Sequence, residues 1–403
     1  MEPVSLDDIY SAAELLEPII RKTPTISAGW ISKSYGVDVS LKCENLQRAG
    51  SFKIRGAYNR IARLPETDRS KGVVAASAGN HAQGVALAAQ LLGIPATVFM
   101  PHGAPIPKLE ATLGYGANVH FHGTTIDEAL EAASEFSQRT GAIFIHPFDH
   151  QHIVAGQGTM GLEIITSNPN VETVVVCTGG GGLLAGSALA IKTLRPDVRV
   201  IGVQAEAAAA YPASLAAGSP QRLAKMATMA DGIAVGRPGD IPFALIQQHV
   251  DEIITVSEDS LARALLLTLE RSKLLAEPAG IAALAAILDN PSHFKGPVVA
   301  SISGGNIDPQ LLSRVVRTGL AAAGRFFMLQ VRIHDVPGSL ASLLTAIGKT
   351  GANVVQVSHT RIDPHLSVHE VDVDVELETR GESHRKAVLA YLAEHDFEVV
   401  DSF

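Results

Sequence analysis

Thr173-Val-Val-Val-Cys-Thr-Gly-Gly-Gly-Gly-Leu-Leu184 is the stretch on which the fold turns. Its first half is apolar in succession rather than in alternation, as a strand buried on both faces should be. Its second half removes the side chain at four consecutive positions, Gly179, Gly180, Gly181 and Gly182, where a strand passes into a helix. The same grammar extends outward in both directions. Short β-branched runs fall at 72–77, 96–100 and 142–146 before it, and at 198–204, 252–256 and 297–302 after it, with helical stretches between. Such alternation predicts an α/β fold of parallel sheets covered by helices. In these sheets ligands bind beyond the carboxyl ends of the strands.

After about residue 310 the grammar changes. Residues 309–323 read as one helix, broken at Gly324-Arg325. Phe327, Leu329, Val331 and Ile333 then alternate on one face of a strand, and Leu340, Leu343, Leu344 and Ile347 form a helical stripe. Val371, Val373, Val375 and Leu377 alternate with Asp372, Asp374 and Glu376, a strand with one wet face. The order βαββαβ predicts a ferredoxin-like module at 326–403.

Composition narrows the function. The 403 residues are 46% hydrophobic and 18% charged, enough to bury a large core. Net charge is −9, and the 32 basic residues are scattered, which argues against nucleic acid or an anionic membrane as partner. Two cysteines, Cys43 and Cys177, leave no disulfide framework. No signal pattern opens the chain and no run of apolar residues reads as a membrane span, so a cytoplasmic enzyme is expected.

Several motifs carry chemistry. Lys53 stands between large apolar residues in Gly50-Ser-Phe-Lys-Ile-Arg-Gly56; it is either a surface lysine with a buried stem or a partly desolvated amine able to form a Schiff base. Ser77-Ala-Gly-Asn-His-Ala-Gln-Gly84 follows a strand and opens a helix, as a simple cap or as a carboxylate site. The four glycines suit a phosphate cradle. They also suit a nicotinamide dinucleotide, since Gly180, Gly182 and Ala185 fit G-x-G-x-x-A and Glu206 ends the next strand. Ser301-Ile-Ser-Gly-Gly-Asn306 ends another buried strand, and Glu277-Pro-Ala-Gly280 lies between helices.

In that order, with Ala155-Gly-Gln-Gly-Thr159 among them, these motifs resemble the serine/threonine dehydratases of the tryptophan-synthase-β-like fold, which use pyridoxal 5′-phosphate (PLP). The likeness covers roughly 5–320. It implies a two-subdomain catalytic domain at 1–320, with a smaller subdomain at about 46–151 inserted in the larger. The C-terminal module, with Asp335-Val-Pro-Gly-Ser-Leu340, resembles an ACT domain, and the combination is similar to the medium-length threonine ammonia-lyases. The resemblance implies Lys53 as the Schiff-base lysine and Gly179, Gly180, Gly181 and Gly182 as the phosphate cradle. It implies Asn80 on the ring hydroxyl, Phe52 on the ring, Ser303 at the pyridine nitrogen and Glu277 nearby. Ser77, Ala78, Gly79 and Asn80 would receive the amino-acid substrate, with threonine giving 2-oxobutyrate and serine giving pyruvate.

Related racemases carry serine where this chain has Ala78, and alanine transfers no proton, so dehydration with little racemisation is expected. Residues 204–210 lack the carboxylate cluster of cation-binding relatives, so no metal ligand is assigned. The ACT-like module either mediates assembly or binds an amino-acid effector at Asp335, Gly338 and Leu340, in a homodimer or homotetramer.

Overall fold

The computed structural model describes residues 3–361 and 366–402; Met1 and Phe403, which close the expected domain ranges, lie outside the described residues. Among the described residues, ten strands occur before Pro309. They are β1 (Thr25–Ser27), β2 (Val39–Cys43), β3 (Val73–Ala76), β4 (Ala96–Met100), β5 (Asn118–Phe121), β6 (Ile143–Phe144), β7 (Thr173–Cys177), β8 (Arg199–Ala205), β9 (Glu252–Val256) and β10 (Val298–Ile302). One sheet runs β1-β2-β10-β7-β8-β9 and the other β5-β4-β3-β6. Every pairing is parallel except that of β1 with β2. The second sheet forms the smaller subdomain.

Three strands depart from the sequence expectation. β2 is interrupted by Lys42, whose ammonium is only 1% exposed because Glu163 pairs with it at 2.5 Å and Thr23 O accepts at 2.8 Å. β1 is a three-residue antiparallel edge, too short to carry a period. β5 is a largely exposed edge strand, so its mixed residues carry no buried-strand signature.

Behind Lys53, charge is buried in a chain of alternating sign. Arg55 forks onto Glu44 through two 2.7 Å bonds and reaches Glu163 at 2.7 Å. Burial works against the Glu44 carboxylate, but Arg55, Lys42 and Thr23 together hold its pKa below the usual value. The 155–159 motif packs helices closely: a Cβ at Gly156 would stand 2.6 Å from Arg55 O, so only glycine lets helix Gln151–Ser167 cross helix Lys53–Ala62.

The contact division falls between Pro309 and Gln310, so helix Pro309–Ala322 groups with the C-terminal unit rather than closing the first domain at 320. The chain turns at Gly324, φ +62°, before β11 (Phe326–His334), helix Ser339–Lys349, β12 (Asn353–Thr360), β13 (Glu370–Glu378), helix Glu382–Glu394 and β14 (Glu398–Ser402). The antiparallel order β12-β13-β11-β14 is ferredoxin-like. Phe327, Leu329, Val331, Leu343, Ile347, Val371, Val373, Val375 and Leu377 form its core. Asp372 is the exception to the wet face: it is 5% exposed, beneath Arg332 at 2.8 Å.

Candidate active site

The loops that follow β2 and β10 and the turn that opens helix Pro278–Asp289 are stitched together by backbone. Phe52 N–H donates to Ser303 O at 3.2 Å, Gly305 N–H to Gly50 O at 2.9 Å and Glu277 N–H to Gly304 O at 3.1 Å. Asn306 adds a side-chain tie, its amide nitrogen 2.7 Å from Ala49 O and 2.8 Å from Asn80 Oδ1. Four of the sequence motifs therefore meet at one place. Lys53 begins helix Lys53–Ala62, and its ammonium donates to Pro147 O at 3.1 Å, 5.2 Å from the Phe52 ring centre.

Burial shapes the electrostatics. It pulls the Lys53 amine down to about 8, against the opposing charge of Glu277. It pushes the Glu277 carboxyl up to about 7, against Lys108, Asn80 and Lys53. Glu277 Oε1 accepts from Asn80 Nδ2 at 2.5 Å, whereas Oε2 is buried with no partner among the described residues. Asn80 thus has both ends of its amide engaged by protein, on Glu277 and Asn306. Buried His81 sits nearby with Nε2 2.8 Å from Ile145 O, and desolvation drops its pKa to about 3, so it adds no charge.

The glycine loop joins β7 to helix Gly182–Leu194. Gly181 takes φ +98°, and a Cβ there would run into the Tyr211 hydroxyl. Tyr211 Oη and Gly239 N–H both donate to Gly180 O at 3.2 Å, which holds the loop from outside. None of the four glycine N–H groups donates to another described residue. Unsatisfied amides at a helix N-terminus make an anion site. The Phe148 ring lies where a Gly180 Cβ would project, one residue from the Pro147 carbonyl that holds Lys53. Amine and anion cradle thus share a wall, and together with orphaned Glu277 Oε2 and buried Ser303 they fit PLP.

Ser77, Ala78 and Gly79 follow β3 and lead into helix Asn80–Leu92. Gly79 N–H turns inward to Ser77 Oγ at 3.1 Å. Facing Gly79 is a residue that the motifs did not flag, Lys108, paired with Asp231 at 2.6 Å. Pro147, Phe148 and Tyr211 were also missed, and Asn306 stood in a quoted motif without a role. Of these, Pro147 and Phe148 were within reach, because they lie just past a strand end where ligand loops belong. In the C-terminal module, Asp335 pairs with Arg361 at 3.0 Å, Gly338 takes φ +97° as the residue before helix Ser339–Lys349, and Leu340 packs on the module's core.

Comparison with known proteins agrees with this geometry. The family described as pyridoxal-phosphate dependent enzyme matches residues 16–304, and the ACT domain matches 327–394. An L-threonine ammonia-lyase of Thermotoga maritima is 46% identical over 98% of this chain and 99% of its own length. A second L-threonine ammonia-lyase, of Geobacter sulfurreducens, is 45% identical over 95% of this chain and 96% of its own length. Among solved structures, maize serine racemase is 34% identical, with TM-score 0.75 over 80% of this chain and 99% of that one. The nicotinamide reading of Gly180, Gly182, Ala185 and Glu206 falls with this match, because the matching family is pyridoxal-phosphate dependent. The chain belongs to the pyridoxal-phosphate-dependent enzymes and carries an ACT domain behind its catalytic unit.

Proposed function

We propose that this chain eliminates water from L-threonine and releases 2-oxobutyrate and ammonia, and that it converts L-serine to pyruvate in the same way. The observation that carries this reading is the enclosed Lys53 amine, lowered to about 8 by burial, on one wall with four unpaired glycine amides. The name of the Thermotoga maritima relative supports the choice of threonine.

PLP, when bound, supplies an aldehyde for an amine and a conjugated ring that accepts an electron pair. The amides of Gly179, Gly180, Gly181 and Gly182 would hold its phosphate, Lys53 its aldehyde carbon, Phe52 its ring face, Asn80 its hydroxyl and Ser303 its ring nitrogen. Lys53 would serve as the base for the Cα proton, and its lowered pKa makes it competent near neutral pH. Ser77, Ala78 and Gly79, at the start of helix Asn80–Leu92, receive the substrate carboxylate with the helix dipole behind it. Ser303 offers a hydroxyl, which does not fix a proton on the ring nitrogen as a carboxylate would; prompt elimination is then favoured over transamination. Ala78 gives no acid for the second face, so the likeness to serine racemase is one of fold.

Purified protein given L-threonine should form 2-oxobutyrate and ammonia in equal amounts, and given L-serine should form pyruvate with little D-serine by chiral chromatography. No keto acid from either substrate, or D-serine at the rate of pyruvate, rejects the assignment. We further infer an amino-acid effector at Asp335, Gly338 and Leu340 of a cytoplasmic homodimer or homotetramer. Titrating isoleucine, valine and leucine against the initial rate tests the effector; if none shifts the threonine dependence, assembly is the module's role.

A further inference from the structure

The buried cation nearest the substrate end of the site has no role in the chemistry above. Lys108 lies on helix Ile106–Gly114 of the smaller subdomain, and its side chain is 8% exposed. Its ammonium meets Asp231 Oδ2 at 2.6 Å, while the Asp231 side chain remains 56% exposed. The same ammonium stands 3.8 Å from where a Cβ would project at Gly79. Asp231 opens the turn Asp231–Ile233, which is braced from two sides. A Cβ at Gly179 would lie 3.0 Å from Ile233 Cα, and one at Gly232 would lie 2.9 Å from the Ala279 methyl. The acid is therefore anchored on the larger subdomain, between the phosphate loop and the Glu277 loop, and it pairs with a base carried by the smaller one.

A buried ammonium needs an anion, and losing its partner without replacement is costly. A carboxylate arriving at Gly79 would supply that partner. Asp231, already more than half in water, then returns to solvent at small cost. One carboxylate replaces the other, and the net charge around Lys108 is unchanged.

We propose that Lys108 is a substrate-binding residue whose ammonium exchanges Asp231 for the α-carboxylate of the amino-acid substrate at Gly79. The proposal rests on the reading of this site as an amino-acid lyase. It makes Asp231 a competitor of the substrate, so removing the acid and removing the base move KM in opposite directions.

Steady-state kinetics with L-threonine on the full-length, cofactor-loaded protein tests this. K108M should raise KM by on the order of 10- to 100-fold while changing kcat far less, the worth of a charge-assisted bond; K108R should recover most of the loss. D231N should lower KM by about threefold or more, because the resting pair no longer competes. A K108M KM equal to that of the parent overturns the proposal. So does a D231N KM that is unchanged or raised, which would make the pair a structural clamp. If K108M does not fold, the sign of the D231N shift still decides. If the parent turns over no threonine, the lyase reading fails separately. L-2-Aminobutyrate, which has no β-leaving group, then serves as the probe, titrated against the visible absorption band. Weaker binding to K108M with tighter binding to D231N upholds the exchange, and any other pattern rejects it.

Discussion

The two units of the chain differ in how deeply they bury charge. In the first, Arg55 and Glu44 are completely buried, and Lys42 and Glu277 nearly so. In the second, Arg361 and Asp335 pair with side chains 56% and 38% exposed, and Lys386 with Glu382 at 75% and 57%. Within the second unit only Asp372, under Arg332, breaks that pattern among the described pairs, while the first unit adds exposed pairs such as Arg195–Asp197 and Arg237–Asp240 to its buried ones. A buried charge obliges its surroundings to compensate it, whereas a surface pair contributes little. The first unit is thus organised around polar groups that it cannot hand to water. The second is a module held by an alternating apolar face, with its charges free to vary.

The contrast can be broken at graded cost. Lys53→Ala should lower kcat for threonine by at least about 10²- to 10⁴-fold with the fold intact by circular dichroism, since it removes the base in the site; unchanged turnover would show that chemistry lies elsewhere. Arg55→Met strands Glu44 and Glu163 and should cost about 3–5 kcal/mol in denaturant unfolding of the first unit. Gly181→Ala forces a side chain into φ +98° against Tyr211, and should weaken cofactor binding about tenfold or more, read by loss of the visible band on dialysis.

Reconstitution of apoenzyme with PLP gives the pH test. Only the unprotonated amine attacks the aldehyde, and burial lowers the Lys53 pKa from 10.5 to about 8. The rate should rise with pH and level off above about 8. Because Glu277 raises this pKa, Glu277→Gln should move the midpoint lower; a shift upward contradicts the electrostatics. The smallest effect belongs to the second unit. Asp335→Asn should change stability by less than about 1 kcal/mol, visible only as a slight Tm shift, because Arg361 stays solvated.

How much could be read in advance follows the same division. The second unit was readable almost entirely, since alternation at 327–333 and 371–377 reports its buried face directly. In the first unit, uniformly apolar strands such as β7 and β10 were evident, while β2 was hidden by Lys42, whose burial depends on Glu163, 121 residues away. The motif residues Lys53, Asn80, Glu277 and Ser303 lie close together in the structure, and the roles that the resemblance implies for them remain proposals. Tyr211, Lys108 and Asp231 carry no local signature. Their roles arise only when loops from separate strands converge, and no window of sequence contains that convergence.

Borohydride reduction of the holoenzyme followed by peptide mapping tests the central claim most directly. The account requires a visible band that the reductant abolishes and a pyridoxyl group recovered on the peptide containing Lys53. A colourless protein that binds NADH, or a label recovered on any other lysine, would contradict it.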